Sequence, residues 1–180
     1  MPTIPLRPTL AALVANPDAV TVRKLWKTLT PDERAQAITA SLADDENGWA
    51  KNTTRGAVAG VLKFRPQTVA TWPRTKLVSE AARLPLDDPQ LLGAYLIDLH
   101  LSHRRPMMKA FLDALGIEND DGRIDSDRTA IAAQEPAKLS RAADAIAASF
   151  PLDEVVTYFL TLLLQDAPVW GGLAEWVKGR

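Results

Sequence analysis

Cysteine is absent from the chain. That excludes disulfides, thiolate nucleophiles and cysteine-ligated zinc, and it accords with a reducing, cytoplasmic setting. Histidine occurs only at His100 and His103. No apolar run approaches the roughly 20 residues that span a bilayer. The most apolar stretch, 155–164, is bracketed by Asp153, Glu154 and Gln165 and reads as a buried helix. The run 10–15 is far too short to span and weak as a signal-peptide core, so no membrane association is expected. There is no glycine-rich phosphate loop, no Gly-x-Ser-x-Gly elbow and no Asn-Gly hairpin between alternating runs. No cofactor is expected, and a net charge of −1 gives no global attraction to nucleic acid.

Helix punctuation, by contrast, is everywhere. A chain of 180 residues with 47% hydrophobic and 24% charged residues can bury a real core. The expected fold is all-α, a compact stack of nine or ten helices joined by short, proline-punctuated connections. Residues 89–117 carry the densest signal. Leu91, Leu92, Tyr95, Leu96 and Leu99 share one helical face, and Met107, Met108, Phe111, Leu112 and Leu115 repeat that spacing after Pro106. Gly116 suits the left-handed position that ends a helix, with Ile117 as its apolar cover.

Elsewhere, Thr30-Pro31-Asp32-Glu33 is a capping box that opens a helix to about Leu42. Asn16 is read as the cap of a helix starting at Pro17, and Thr53 or Thr54 as the start of another. Further helices are expected over 9–15, 66–72, 75–84, 128–134 and 169–177, with another carrying Leu139, Ala142, Ala143 and Ile146. Phe111, Leu115, Phe159 and Leu163 are the expected core.

The last two thirds of the chain match themselves at an offset of 62 or 63 positions. Pro73 pairs with Pro136, Tyr95 with Tyr158, Pro106 with Pro168, and Pro85-Leu86-Asp87 with Pro151-Leu152-Asp153 after a small gap. This suggests N-terminal helices over 1–65 and two tandem helical units, 66–117 and 118–180, sharing one core.

Chemistry-bearing constellations are few. His100 and His103, at i and i+3, are weak metal candidates without an evident third ligand, so no metal site is assigned. The loop 118–127 resembles a calcium loop, but Ile117 and Arg128 fall at essential ligand positions.

The best functional signal is charge. Residues 47–79 contain no acid and six bases, Lys51, Arg55, Lys63, Arg65, Arg74 and Lys76, while the rest of the chain carries a net −7. Surfaces normally intersperse both signs, so an uncompensated basic segment implies a negative counterpart: a protein partner, a phosphate backbone or the chain's own acidic loop. Residues 54–72 also have the apolar skeleton of a helix-turn-helix, with Val58, Ala59, Leu62, Phe64, Val69 and Trp72 inward, although Lys63 stands where the turn glycine belongs. The expected function is a non-catalytic adaptor or scaffold that binds a protein partner through these six residues. Nucleic-acid binding by the same segment is the alternative, and a metal-dependent enzyme using His100 and His103 comes third.

Overall fold

The computed structural model describes residues 5–43, 45–125 and 131–180. These form twelve α-helices and no strand. In chain order they are α1 (Pro8–Val14), a 3-10 turn (Pro17–Ala19), α2 (Val22–Thr28), α3 (Pro31–Ala43), α4 (Trp49–Leu62), α5 (Pro66–Ala70) and α6 (Arg74–Arg83). There follow α7 (Pro89–His103), α8 (Arg105–Ala114), α9 (Pro136–Ser149), α10 (Leu152–Gln165), α11 (Ala167–Trp170) and α12 (Leu173–Lys178). The all-α expectation holds. Among the described residues, no helix is long and apolar enough to cross a membrane.

The chain divides into two compact units, one joining the described residues up to Leu25 with those of His103–Arg180, the other being Trp26–Ser102. In the first, α10 packs on α9, α11 and α12, and α8 packs on α9. Residues 155–162 of α10 are all buried. Phe111 is fully buried and lies 4.8 Å from Phe159, 5.9 Å from Tyr158 and 6.0 Å from Trp170, ring centre to ring centre. Each such contact adds roughly 0.5–1.5 kcal/mol to the burial itself. Leu115 is buried as expected, but Leu163 is half-exposed. The buried stripe of α10 runs through Leu162 and leaves Leu163 at its rim.

In the second unit, α3 packs on α6, and α4 packs on α3, α5 and α6. Its polar node is the fully buried Thr54, whose hydroxyl donates to the Ala50 carbonyl at 2.5 Å and is hydrogen-bonded to the buried Tyr95 hydroxyl. Trp26 packs on the Tyr95 ring at 5.4 Å.

Local rules set the helix ends. The Thr30–Glu33 box is made in both directions: Thr30 N–H donates to the Glu33 carboxylate at 2.8 Å, and Glu33 N–H to the Thr30 hydroxyl at 3.2 Å. At the end of α8, Gly116 takes φ 62°, Ile117 N–H reaches Leu112 at 2.9 Å and Gly116 N–H reaches Asp113 at 2.9 Å. That is the Schellman pattern, which satisfies two orphan carbonyls.

Four expectations need correction. Asn16 makes no side-chain cap, and Pro17 opens only a 3-10 turn; Thr21 instead accepts the Lys24 N–H at 3.3 Å at the start of α2. The helix placed at Thr53 begins at Trp49, because the Asp45 carboxylate accepts from Ala50 N–H at 3.1 Å and Lys51 N–H at 2.8 Å. The helix expected at 169–177 is two, α11 and α12. Between them, a Cβ on Gly172 would lie 2.9 Å from Leu139 Cδ1 and 3.2 Å from Pro136 Cα, so any larger residue there would have to push that turn and α9 slightly apart. Finally, 131–135 are not helical, and the rest of the helix expected over 128–134 lies outside the described residues, as do Asp44 and Asp127 of the polar turns.

The proposed duplication rests on order. The elements α6, α7 and α8 are followed by α9, α10 and α11, and Pro106 and Pro168 each sit in the first two positions of a helix. Tyr95 and Tyr158 are both buried within helices, the first against Trp26 and Thr54, the second against Phe111 and Phe159. The division between compact units after Ser102 falls inside the first proposed repeat.

Two predictions follow from this packing. Phe111→Ala should lower unfolding free energy by about 3–5 kcal/mol, from lost transfer energy plus a cavity, and Leu163→Ala by much less; equilibrium denaturation of the two variants checks the contrast. Burial also raises the hydroxyls of both tyrosines, the only two in the chain, above their ordinary value near 10. A raised folded pKa means that this contribution to stability is complete below about pH 10 and is lost as pH climbs above it. In an alkaline titration, tyrosinate absorbance should therefore rise together with the loss of helical circular dichroism. Ionisation of either tyrosine in the folded protein near pH 10 would contradict the packing described.

Candidate functional site

The acid-free segment supplies the end of α4, all of α5 and the start of α6. Helix α4 ends in the same Schellman pattern as α8: Phe64 N–H reaches the Ala59 carbonyl at 3.0 Å, and Lys63 N–H the Gly60 carbonyl at 3.4 Å. The left-handed position is occupied by Lys63, at φ 58° and ψ 31°. Glycine is the usual residue there, because a Cβ in that conformation costs roughly 1–2 kcal/mol. Pro66 then opens α5, and the buried Val69 ties that helix down. Pro73 closes it and precedes α6.

This turn-and-short-helix arrangement displays aromatic rings instead of burying them. Phe64 is 48% exposed and meets the half-buried Trp72 edge to face at 6.1 Å. The Lys76 ammonium stands 4.2 Å above the Trp72 ring, in cation–π geometry. Lys63 and Arg65 flank Phe64 in the chain, and both are exposed. One of the three cations, Lys76, thus lies on the aromatic pair and the other two adjoin Phe64 in the chain, and among the described residues none of the three forms an ion pair.

The other three predicted residues lie elsewhere. Lys51 is exposed at the opposite end of α4, where its backbone, not its ammonium, meets Asp45. Arg55 is half-buried, with its Nε buried and without a hydrogen-bond partner. Arg74 turns towards α3, donating from Nη2 to the Thr39 carbonyl at 2.6 Å. The six bases of one acid-free segment therefore form a group of three about Phe64 and Trp72 and three separate positions. The display of Phe64 was also not foreseen, since the helix-turn-helix pattern places it inward; the only sequence signal for it is the non-glycine residue in the turn before it.

The remaining candidates are not assembled into sites. His100 is 2% exposed, whereas His103 is exposed. Among the described residues, no group of three or more His, Asp or Glu side chains is placed to hold a metal. In the acidic loop, Asp121 and Gly122 take φ 48° and 83° between the paired Asp120 and Arg123, which is a tight two-residue turn. Asp121 lies 3.5 Å from Arg105. Arg128 lies outside the described residues. No family model matches the chain, and searches of curated proteins and of solved structures returned no match.

Because Lys63 holds a position that favours glycine, Lys63→Gly should raise the unfolding free energy by roughly 0.5–1 kcal/mol, the relief of left-handed strain less the added freedom of the unfolded chain. Thermal or urea denaturation checks it, with a loss of stability counting against the strained geometry.

Proposed function

We propose that the chain is a non-catalytic interaction module that holds an acidic segment of a partner protein on the Phe64–Trp72 surface. One observation carries this reading: an aromatic pair whose outer ring is 48% exposed has Lys76 on its Trp72 ring and Lys63 and Arg65 as exposed chain neighbours of Phe64, and among the described residues none of the three cations forms an ion pair. Aromatic rings and arginine dominate the energetic centres of protein interfaces, and a cation beside an exposed ring suits an acid next to an apolar anchor. The retention of lysine in a left-handed turn supports the same reading, since strain kept at an exposed position points to a use for the side chain. A cytoplasmic, adaptor-like role accords with the cysteine-free sequence.

The nucleic-acid alternative draws less support. The helix α5, which would read base edges, has five residues and a length of only about 7.5 Å before Pro73. Of the six bases, Arg55 is half-buried and Arg74 has one guanidinium donor committed to the Thr39 carbonyl.

Fluorescence anisotropy with a labelled glutamate-rich peptide containing one phenylalanine, run beside a labelled DNA duplex, tests the proposal. The peptide should bind saturably, with association slowing at high salt. Lys63→Glu with Arg65→Glu should weaken it about ten-fold while leaving the thermal midpoint in place. Tighter duplex binding, with log affinity falling linearly in log salt, would install the nucleic-acid reading instead. No binding of either probe would overturn the assignment of this surface.

A further inference from the structure

Helices α3 and α6 enclose a second feature, independent of the aromatic surface. It is a half-open cavity of about 360 Å³ lined by residues of these two helices. Its floor is apolar, made by Ala35, Val78 and Ala82, of which Val78 is 9% and Ala82 3% exposed. Arg74, at the start of α6, bonds the Thr39 carbonyl of α3 across the cavity. The lining carries two cations, Arg74 and Arg83, one acid, Asp32, and the hydroxyl residues Thr39, Thr75 and Ser79.

Arg74 is already oriented for a ligand. Its Nη2 is fixed on the Thr39 carbonyl, and among the described residues its Nε and Nη1 have no acceptor and neither Arg74 nor Arg83 forms an ion pair. A guanidinium held in one orientation with unused donors matches a carboxylate bidentately. The apolar floor extends from it over about eight residues of α6, roughly 12 Å. A pocket of this size, with an apolar body and a few converging polar groups, is the usual form of a small-molecule site.

We propose that this cavity binds an amphiphilic monocarboxylate, with its head on Arg74, Thr39 and Thr75 and its alkyl body along Ala35, Val78 and Ala82. The head is assigned to Arg74 because its guanidinium is held on the Thr39 carbonyl with donors to spare. Chain length adds affinity because each methylene buried on the floor is removed from water.

Isothermal titration with sodium decanoate below its micelle concentration tests this, beside hexanoate, decanol and decylamine. Decanoate should bind at one site per chain, at least about ten-fold more tightly than hexanoate and than the two uncharged or cationic analogues. Arg74→Gln should weaken decanoate about ten-fold, and Arg74→Lys by less. Ala35→Phe, which fills the floor, should abolish binding while circular dichroism and the thermal midpoint show a folded protein. Ser79→Phe, on the facing helix, supplies the same obstruction should Ala35→Phe fail to fold. Equal binding of decanol, or decanoate binding untouched by both the Arg74 and the floor substitutions, would overturn the proposal, as would the absence of saturable binding. None of these outcomes depends on the acidic-peptide surface, whose charge-reversed variant should bind decanoate normally.

Discussion

The first compact unit depends on the burial of Phe111. The chain has no cysteine to cross-link, and Phe111 is where α8, α10 and α11 meet through aromatic rings. Phe159 carries the contact on to Trp176 of α12, 5.2 Å away and edge to face. Trp176 in turn donates to Asp144 of α9 at 2.9 Å, a bond that holds that carboxyl below its ordinary range. Arg180 adds a second donor at 2.5 Å and covers the Trp176 ring. A network that starts as packing thus ends as a charge-assisted hydrogen bond at the surface. In Trp26–Ser102, the Thr54–Tyr95 pair has the corresponding role: two hydroxyls satisfy each other inside apolar surroundings, where leaving either one unmade would cost about 1–3 kcal/mol.

Two helix ends of identical hydrogen-bond pattern show how structure and use part company. Gly116 and Lys63 occupy the same left-handed position, and the carbonyls behind them are satisfied in the same way. After Gly116 comes the buried Ile117, which covers the helix end as the motif favours. After Lys63 comes Phe64, which is half out of the surface. One end serves stability. The other carries a cation and an exposed ring at a conformational cost, and this asymmetry is the strongest reason to place a binding surface there.

The basic segment also shows how far charge counting goes. The absence of acids over 33 residues is a property of the sequence, but a helix and two tight turns distribute its six cations in different directions. Lys76 settles on Trp72, Arg74 on Thr39, and Arg55 is half-buried. Net charge alone says that something negative is favoured nearby. It does not say that the charges act together, because that depends on the direction of each Cα–Cβ bond after the turns at Lys63 and Pro73 are made.

The sequence by itself determined the fold class, most helix boundaries and the core of α7, α8 and α10. These follow from local rules: the 3.6-residue periodicity of apolar side chains, proline near a helix start, the Thr30–Glu33 box and the glycine at 116. The start of α4 escaped because its cap, Asp45, lies outside the helix and competes with two better-looking threonines, one of which is taken by Tyr95 from 41 positions away. The break at Gly172 falls where that glycine packs closely on α9, a contact with a segment distant in the chain that local rules do not register. The candidate sites belong to the same class. That Phe64 faces outward, that Arg74 bridges to α3 and that Arg83 and Asp32 line one cavity are consequences of helix pairing between distant segments. Local propensity fixes where each helix is. Only the packing of one helix against another fixes which of its side chains are left for a ligand.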